Sequence, residues 1–548
     1  MASRTQLRNA SLHVRLTQVL RDLVHRTIGE AQATSPVQKI VSDNEAKAPE
    51  LQSQLSSKSS VEQEAKSSPP QEPLPTAKEQ RVPPDVSSWQ SYMSLLKIPE
   101  KPQPKVVPKW KLELASARGG IDARTRDLVG LVRSARTDMS RSRRVEDLCR
   151  HLQQHPEAIN LAFMEGAVSC LLTMYEETSD KVVQMQLREA LALLGYVRPV
   201  TGRGIRILSI DGGGIRGILA IELLRELERL SGQPVYQMFD LICGVSTGAL
   251  LACLLGPLKR SLDEVEELYT RLGTAVFTQT RLKGTTKLLW EHSYYDTEAW
   301  RVILQQNLGM QPLIAFSRDQ AAPKVAAVST LVSSDQLQAF IFRSYNHPHH
   351  VQSHYQGSSR YKVWEAVQAS AAAPGYFQEC RIGDMLHQDG GILVNNPAAI
   401  AIHEARQLWP QEPLQCVVSI GTGRFAPSML STRPTAAAAA AAAPDATSWM
   451  TKIRKFVDSA TDTEGVHTIL TELLPTHSYF RLNPYLTENV LLDDSHPDKL
   501  RQLKEDARMY LRKNSFKLGR AVTELNRQRR RHQRFVDWIH LKRDTHGF

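Results

Sequence analysis

Short apolar runs recur along the middle of the chain, and amphipathic helical patterns separate them. The runs are rich in β-branched and aromatic residues, a composition typical of buried strands. They predict strands at residues 207–210, 239–243, 325–330, 340–342 and 416–420. Strands that alternate with helices favour an α/β domain with a mainly parallel sheet, which we assign to residues 204–424.

Ahead of this domain, residues 109–203 carry helical patterns separated by short breaks. The stretch EGAVSCLLTMYEETSDKVVQMQLREALALLGY has the spacing of one armadillo-type helical repeat. One repeat cannot bury its apolar face alone, so we expect this armadillo-like region to pack on the α/β domain. Its role as a scaffold and its role as a plain helical extension both stay open.

The first 108 residues divide into two segments of different composition. Residues 1–30 are basic, poor in acidic side chains and amphipathic, which is typical of a mitochondrial transit peptide; an ordinary surface helix is the alternative. Residues 31–108 are rich in Ser, Gln, Glu, Lys and Pro. Such a segment buries too little apolar surface to fold, so we predict a disordered linker.

The C-terminal region, residues 425–548, is predicted to be helical. It contains an alanine run at residues 436–443 and a helical pattern at 449–460, whose apolar face is either core or a membrane-facing lid. The tail interleaves Phe535 and Trp538 with basic residues, and that pattern favours binding to anionic lipid over a merely solvated helix. These basic residues are Arg527, Arg529, Arg530, Arg531, Arg534, Lys542 and Arg543.

Composition narrows the class of protein. The chain has 548 residues, a net charge of +11 and six scattered cysteines without C-x-x-C pairs. The length allows two or three domains, and the cysteine pattern favours a reducing compartment over a disulfide-stapled secreted protein. The positive charge favours an anionic membrane surface over nucleic acid, for which no fold pattern is present. No apolar run approaches the ~18 residues needed to span a bilayer, so we expect peripheral membrane contact.

The stretch RILSIDGGGIRGILAIELLREL passes from an apolar strand through a glycine-rich turn into a helix. Gly212, Gly214 and Gly217 satisfy G-x-G-x-x-G, which dinucleotide-binding domains use to hold a pyrophosphate. That use requires an acidic residue at the end of the second strand, whereas Asp240 precedes that strand. The backbone N–H groups of the turn instead suit the oxyanion of a reacting ester.

The next strand leads into FDLICGVSTGALLACLLG, where Gly244, Ser246 and Gly248 form G-x-S-x-G. Its strand–turn–helix context is typical of a nucleophile elbow. One right-handed βαβ unit of roughly 30 residues separates the two motifs, so both loops leave the carboxyl edge of the sheet side by side. Ser246 is therefore the predicted nucleophile, with N–H groups from Gly213 to Ile215 stabilising the oxyanion. The predicted oxyanion loop consists of Gly212, Gly213, Gly214, Ile215, Arg216 and Gly217.

A candidate catalytic base lies in the stretch DMLHQDGGILVNNP, in which Gly390 and Gly391 follow Asp389 at a strand-to-turn boundary. No histidine has a comparably constrained setting. We interpret His387 as structural and His403 as a helix-packing or surface residue. A further histidine cluster lacks fixed spacing and nearby carboxylates, so no metal site is predicted there. This cluster consists of His347, His349, His350 and His354.

The combination of glycine-rich loop, G-x-S-x-G and distal D-G-G resembles the patatin-like phospholipases. The resemblance extends over about residues 120–545 through stretches such as LHQDGGILVNNPAAIAIHE. It implies a patatin-like α/β domain with a mainly parallel sheet, preceded by a helical armadillo-like segment and a disordered N-terminal region. It also implies a Ser246–Asp389 dyad that works without histidine. The similarity lapses at residues 436–443, and this chain does not end in the peroxisomal Ser-Lys-Leu of its relative.

The resemblance implies a calcium-independent phospholipase that forms an acyl-enzyme and releases a lysophospholipid and a fatty acid. No calcium-binding D-x-[DN]-x-[DN]-G loop is present, and we expect no cofactor. A lysophospholipase, neutral-lipid lipase or transacylase would use the same dyad, and a catalytically silent membrane-bound scaffold is the alternative from another class. The expected partners are a phospholipid substrate and an anionic membrane surface, with no nucleic acid. The expected location is mitochondrial, with peroxisomal or endoplasmic reticulum membranes as alternatives.

Overall fold

A computed structural model describes residues 109–277, 295–425, 463–488 and 490–546 of the chain. Several predicted features lie outside these residues. They are the targeting segment at 1–30, the disordered linker at 31–108, the alanine run at 436–443 and the helical pattern at 449–460.

A helical layer precedes the sheet. Its helices are α1 (Lys109–Arg133), α2 (Asp138–Gln154), α3 (Ile159–Met164), α4 (Ala167–Glu177) and α5 (Lys181–Leu193). Leu148, Leu171 and Leu187 are fully buried where these helices meet. The Asp180 carboxylate caps the amino end of α5 by accepting hydrogen bonds from N–H groups of the first turn. The helical character predicted for residues 109–203 is confirmed, and the armadillo-type repeat stays a prediction.

Nine strands of the described chain form one sheet. They are β1 (Ile205–Ile210), β2 (Leu241–Val245), β3 (Lys324–Leu331), β4 (Gln338–Arg343), β5 (Gln356–Ser358), β6 (Cys380–Ile382), β7 (Met385–Asp389), β8 (Leu414–Ile420) and β10 (Tyr479–Leu482). A separate pair joins β9 (Arg424–Phe425) to β11 (Tyr485–Leu486). The predicted α/β class with a mainly parallel sheet is confirmed.

The sheet has the order β10-β8-β1-β2-β3-β4-β5, with β7 also pairing with β3 and β6 pairing with β7. The strands from β10 to β3 run parallel, so their carboxyl ends lie at one edge. Both β4 and β7 pair with β3 in the antiparallel sense. This arrangement brings the end of β7 to the same edge as the loops that follow β1 and β2.

Helices cover both faces of the sheet. Those of the domain are α6 (Ile218–Ser231), α7 (Val235–Met238), α8 (Thr247–Leu255), α9 (Leu262–Phe277), α10 (Thr297–Leu308), α11 (Val363–Ser370) and α12 (Ala398–Leu408). Helices α6, α8 and α11 supply one apolar core, whereas α12 supplies the core on the other face. All residues of β1 and β2 are buried, as expected for parallel strands covered on both sides.

The C-terminal region contains more than helices. Its helices are α13 (Thr463–Leu473), α14 (Pro497–Lys513), α15 (Ser515–Leu525) and α16 (Arg531–His546). Between α13 and α14 the chain adds β10 to the edge of the main sheet, beside β8. Residues beyond 424 therefore complete the sheet that carries the site.

The basic tail is partly tied to the rest of the protein. Arg529 is buried, donates to Glu412 at 3.0 Å and pairs with Asp537. Three further basic residues pair with carboxylates, including Asp544 within the tail itself. These pairs are Arg527–Glu524, Lys542–Glu176 and Arg543–Asp544. Helix α16 thus contacts the helical layer, and some basic side chains of the tail form ion pairs with carboxylates of the protein itself.

No single helix among the described residues is both long and apolar enough to cross a bilayer. The segments Pro156–Met164 and Ala167–Glu177 are long and apolar enough only when they are counted together, and the chain bends by 76° between them.

Candidate active site

Ser246 lies on the sharp turn between β2 and α8. Its φ of 55° is in the left-handed region, which is strained for a side-chain-bearing residue and is typical of functional turns. Gly248 permits this turn, because a Cβ there would lie 2.3 Å from the Ile210 carbonyl oxygen. The Ser246 N–H donates to Ser370 Oγ at 2.8 Å, which fixes the elbow to α11.

Asp389 ends β7 and faces the serine directly. Ser246 Oγ donates to Asp389 Oδ2 at 2.6 Å, and the Gly391 N–H donates to Asp389 Oδ1 at 2.7 Å. Thr330 Oγ1 donates to the Asp389 backbone carbonyl at 3.0 Å, which holds the end of the strand. Burial raises the pKa of the Asp389 carboxyl to about 6, although the bonds from Ser246 and Gly391 lower it. The predicted nucleophile and the predicted base are therefore in contact without an intervening group.

The histidines take other roles. His387 is fully buried, its Nδ1 lies 3.0 Å from Ser329 Oγ, and burial lowers its pKa to about 4. His403 is on α12, and its Nε2 lies 3.4 Å from Ser353 Oγ. In the histidine cluster, His347 pairs with Glu404 at 3.1 Å and His349 stacks on Phe163. Each of these contacts accounts for a histidine by local packing or hydrogen bonding.

The glycine loop follows β1 and borders the same cavity as Ser246. Its geometry changes one part of the prediction, because the Ile215 N–H already donates to the Leu492 carbonyl at 2.8 Å. The Gly212 N–H points to the Asn395 carbonyl at 3.4 Å. No acceptor within the described ranges is paired with the N–H groups of Gly213 and Gly214. Ile215 is therefore corrected to a residue that anchors the loop, and the two glycines stay the predicted oxyanion donors.

Two side chains and one backbone carbonyl from outside the motif hold this loop in place. Thr422 Oγ1 donates to the Gly212 carbonyl at 2.7 Å, and the Tyr269 hydroxyl donates to the Gly214 carbonyl. Gly214 has a φ of 54°, and a Cβ there would lie 2.2 Å from the Leu492 carbonyl oxygen. The Arg216 Nε donates to the Gly213 carbonyl at 3.5 Å, which braces the loop from within. The N–H groups of the predicted oxyanion donors are thus held in place by the protein itself.

A cavity of about 450 Å³ opens over Ser246 and Asp389. Its lining combines apolar or aromatic side chains with polar and charged ones. The apolar and aromatic residues include Leu250, Leu272, Trp300, Tyr376, Phe377 and Leu492. The polar and charged residues include Arg216, Arg424, Glu464 and Asn483. This mixed lining suits a ligand that has both an apolar chain and a polar, charged group.

A buried ion pair behind the loop was not predicted from the sequence. Arg481, on β10, donates to both carboxylate oxygens of Asp211 at 2.9 and 2.6 Å. Burial opposes the charge on Arg481, but Asp211 and Glu464 raise its pKa above its usual range. Asp211 immediately precedes Gly212, so this pair ties the oxyanion loop to the C-terminal region. An isolated aspartate before a glycine run was the only signal in the sequence.

The nucleotide alternative for the glycine loop is not supported by Asp240. Its carboxylate pairs with Arg206 at 2.8 Å near the amino end of β1. Asp240 therefore lies at the sheet edge opposite the glycine loop. It cannot bind the ribose of a nucleotide whose phosphates are held by that loop.

Sequence comparisons relate this chain to known proteins. A sequence model of the family described as "Patatin-like phospholipase" matches residues 208–402. The chain is 46% identical over 431 residues to "Calcium-independent phospholipase A2-gamma" of Rattus norvegicus, covering 78% of this chain and 54% of the rat protein. It is 44% identical over 481 residues to the protein of the same name in Mus musculus, covering 87% and 59%. The chain therefore spans little more than half the length of these relatives.

Among solved structures, human GIVD cytosolic phospholipase A2 aligns with a TM-score of 0.31 and 10% identity, covering 69% of this chain and 64% of that one. The resemblance to the patatin-like family expected from the motifs is confirmed by the sequence comparisons.

Proposed function

Because residues 208–402 of this chain belong to the patatin-like phospholipase family, we propose that the protein hydrolyses fatty acyl esters of glycerophospholipids without calcium. The observation that carries this proposal is the 2.6 Å hydrogen bond from Ser246 Oγ to Asp389 Oδ2 at the base of a partly apolar cavity. A scaffold without activity would have no use for a strained serine elbow facing a buried carboxylate.

The first half of the reaction is acyl transfer to the serine. Asp389 accepts the hydroxyl proton as Ser246 Oγ attacks the ester carbonyl carbon, and the proton then passes to the departing alkoxide. The products are an acyl-enzyme and a lysophospholipid. In the second half, Asp389 takes a proton from water, the resulting hydroxide attacks the acyl carbon, and the fatty acid leaves as Ser246 regains its proton.

A carboxylate is a weaker base than histidine, so stabilisation of the oxyanion must supply much of the rate. The N–H groups of Gly213 and Gly214 are suited to this task because the surrounding contacts hold the loop rigid. Removal of one oxyanion donor costs about 3 kcal/mol in a comparable acyl-transfer site.

The lining of the cavity supports the proposed class of substrate. Leu250, Trp300 and Phe377 can pack along an acyl chain, and Arg216 and Arg424 also border the cavity. Arg424 pairs with Glu464 at 2.9 Å and keeps further N–H groups for a second acceptor. We propose a glycerophospholipid over a neutral lipid because guanidinium groups are suited to phosphate oxygens.

The membrane surface and the location belong to the same proposal. The exposed Phe535 and Trp538, together with the unpaired part of the tail charge, favour peripheral contact with an anionic bilayer. Residues 1–30 favour import into mitochondria. A fluorescent reporter fused behind residues 1–40 should enter mitochondria; a reporter that stays diffuse in the cytosol would contradict that location.

The activity is tested with purified protein, phospholipid vesicles and excess calcium chelator. Wild type should release a fatty acid and a lysophospholipid, whereas Ser246→Ala and Asp389→Asn should each lose activity by at least about 10³-fold, since they act as one unit. The controls are Ser515→Ala and Asp335→Asn, because both residues are exposed and neither lines the cavity.

Three results would contradict the proposal. They are turnover by a folded Ser246→Ala protein, a requirement for calcium, or hydrolysis restricted to lysophospholipids or neutral lipids. Transfer of the acyl group to another lipid, with little free fatty acid, would assign the same dyad to a transacylase.

A further inference from the structure

A second cavity, of about 590 Å³, lies at the amino edge of the sheet. It is bordered by the start of β3, the segment before β2, the segment that leads from α5 into β1, and the start of the tail. It shares no lining residue with the cavity over Ser246. The two cavities therefore lie at opposite ends of the parallel strands.

The lining of this second cavity is strongly basic. It contains six cationic side chains and two carboxylates, Asp240 and Asp319. The cations are Arg188, Arg198, Arg206, Lys324, Arg527 and Arg534. Both carboxylates are already engaged, Asp240 by Arg206 at 2.8 Å and Asp319 by Lys259 at 2.5 Å. The positive charge of the cavity thus exceeds what its own carboxylates neutralise.

Lys324 carries much of this uncompensated charge. It is the first residue of β3, and its Nζ has no hydrogen-bond or ion-pair partner among the described residues. Burial and the nearby Arg198 charge lower its pKa to about 8. An ammonium in such a place is costly unless an anion accompanies it.

Arg534, like Lys324, has no side-chain partner among the described residues, and it lies on the exposed side of α16. The remaining cations are committed elsewhere: Arg188 donates to the Arg318 carbonyl at 2.7 Å, and Arg198 lies 4.7 Å from the Tyr175 ring centre. Arg527 pairs with Glu524 at 2.8 Å. Among the six lining cations, Lys324 and Arg534 are thus the two whose side chains contact no carboxylate, carbonyl or aromatic ring of the described residues.

We propose that this cavity binds a phosphate group, with Lys324 and Arg534 as its charged donors. Two cations on separate elements suit the multiple oxygens of a phosphate better than a single carboxylate. The source of the phosphate is either a small soluble phosphate compound or the headgroup of an anionic lipid. Because Arg534 belongs to the tail and Lys324 to the sheet, an occupant connects α16 to the catalytic domain.

The test measures binding of inorganic pyrophosphate by calorimetry, and binding of vesicles with and without phosphatidic acid by co-sedimentation. Every protein also carries Ser246→Ala, so that vesicles are not hydrolysed. Lys324→Met and Arg534→Gln should each weaken binding by about tenfold or more. Lys513→Met, on the exposed face of α14, is the matched control and should bind as before.

Saturable pyrophosphate binding with this dependence on the variants supports a soluble phosphate. The same dependence seen only with phosphatidic acid vesicles supports a lipid headgroup. Arg534→Gln lies at the surface, so it keeps the test valid if the Lys324 variant does not fold. Binding of neither probe, or equal binding by wild type and a folded Arg534→Gln protein, overturns the proposal.

Discussion

Asp389 shows how burial sets the chemistry of one residue. The carboxyl group is only 7% exposed, and its surroundings raise its pKa to about 6. A higher pKa makes the carboxylate a better base than a solvated aspartate, while it stays ionised at neutral pH. The bonds from Ser246 and Gly391 oppose the shift and keep the charged form accessible.

This environment predicts an acid limb in the pH profile. The reaction needs the ionised form of Asp389, so kcat/KM on a soluble ester should be constant near pH 7. It should fall about tenfold per pH unit below about pH 6, where the carboxyl group is protonated. A profile that falls instead above pH 7, or is flat to pH 4, would contradict Asp389 as the base.

His387 provides the contrasting prediction at the residue scale. It is neutral at pH 7 and bonded to Ser329, whereas Ser246 contacts Asp389 directly. His387→Asn can keep a bond to Ser329, so turnover should stay within a few-fold of wild type. Stability should fall by about 1–3 kcal/mol, since a buried polar contact is altered. Soluble-ester kinetics and urea unfolding measure both effects; a folded but inactive variant would mean that the dyad needs this histidine.

At the scale of elements, the elbow depends on close contact between α8 and β1. Gly248→Ala would place a Cβ 2.3 Å from the Ile210 carbonyl oxygen, so α8 must move and Ser246 with it. We expect a loss of about 2 kcal/mol or more in unfolding free energy and a large loss of turnover. Gly519→Ala is the control, because nothing lies within 4 Å of its added Cβ in α15.

The two glycine variants should change urea unfolding in opposite directions. Gly519→Ala should be neutral or stabilising by up to about 1 kcal/mol, because alanine favours a helix interior. Equal stability and activity in both variants would show that the contact between α8 and β1 is not needed for the elbow.

The elements also show what the sequence could and could not predict. Strands β1, β2 and β3 were predictable because an apolar run is a local signal. The turn at Ser246 was predictable because G-x-S-x-G is also local. The place of β10 in the sheet was not, since YFRL is short and its partner β8 is distant in the chain. The same holds for Leu492, whose carbonyl occupies the Ile215 N–H, and for the bond between Arg481 and Asp211. Such contacts depend on tertiary packing that no local pattern specifies.

At the scale of the whole molecule, the tail and the dyad lie at opposite edges of the sheet. Arg529 contacts the Gly202 carbonyl before β1, whereas Ser246 follows the carboxyl end of β2. Strands of five or six residues separate these edges by about 20 Å. Because Arg529 is buried, deletion of residues 527–548 would disturb packing as well as membrane contact, and substitutions at exposed positions are the cleaner test.

The tail is therefore tested by paired substitutions that leave its buried contacts in place. Phe535→Ser with Trp538→Ser removes two aromatic side chains that are 55% and 54% exposed, and that stack on each other. If they insert into the bilayer interface, binding to anionic vesicles should weaken by about tenfold or more, since burial of the exposed half of both side chains contributes about 1.5–3 kcal/mol in total. Turnover of a soluble ester should not change, because Ser246 lies at the other edge.

A matched pair tests the cavity mouth. Leu393→Ser with Leu491→Ser removes two apolar side chains, each 39% exposed, from segments that lie beside the cavity without lining it. If the tail supplies most of the membrane contact, this pair should keep vesicle binding and soluble-ester turnover close to wild type. Co-sedimentation at low and high salt compares the two pairs, because the cationic contribution is screened by salt and the apolar contribution is not. Loss of binding in the mouth pair, with normal binding in the tail pair, would place the bilayer at the carboxyl edge and contradict a membrane role for the tail.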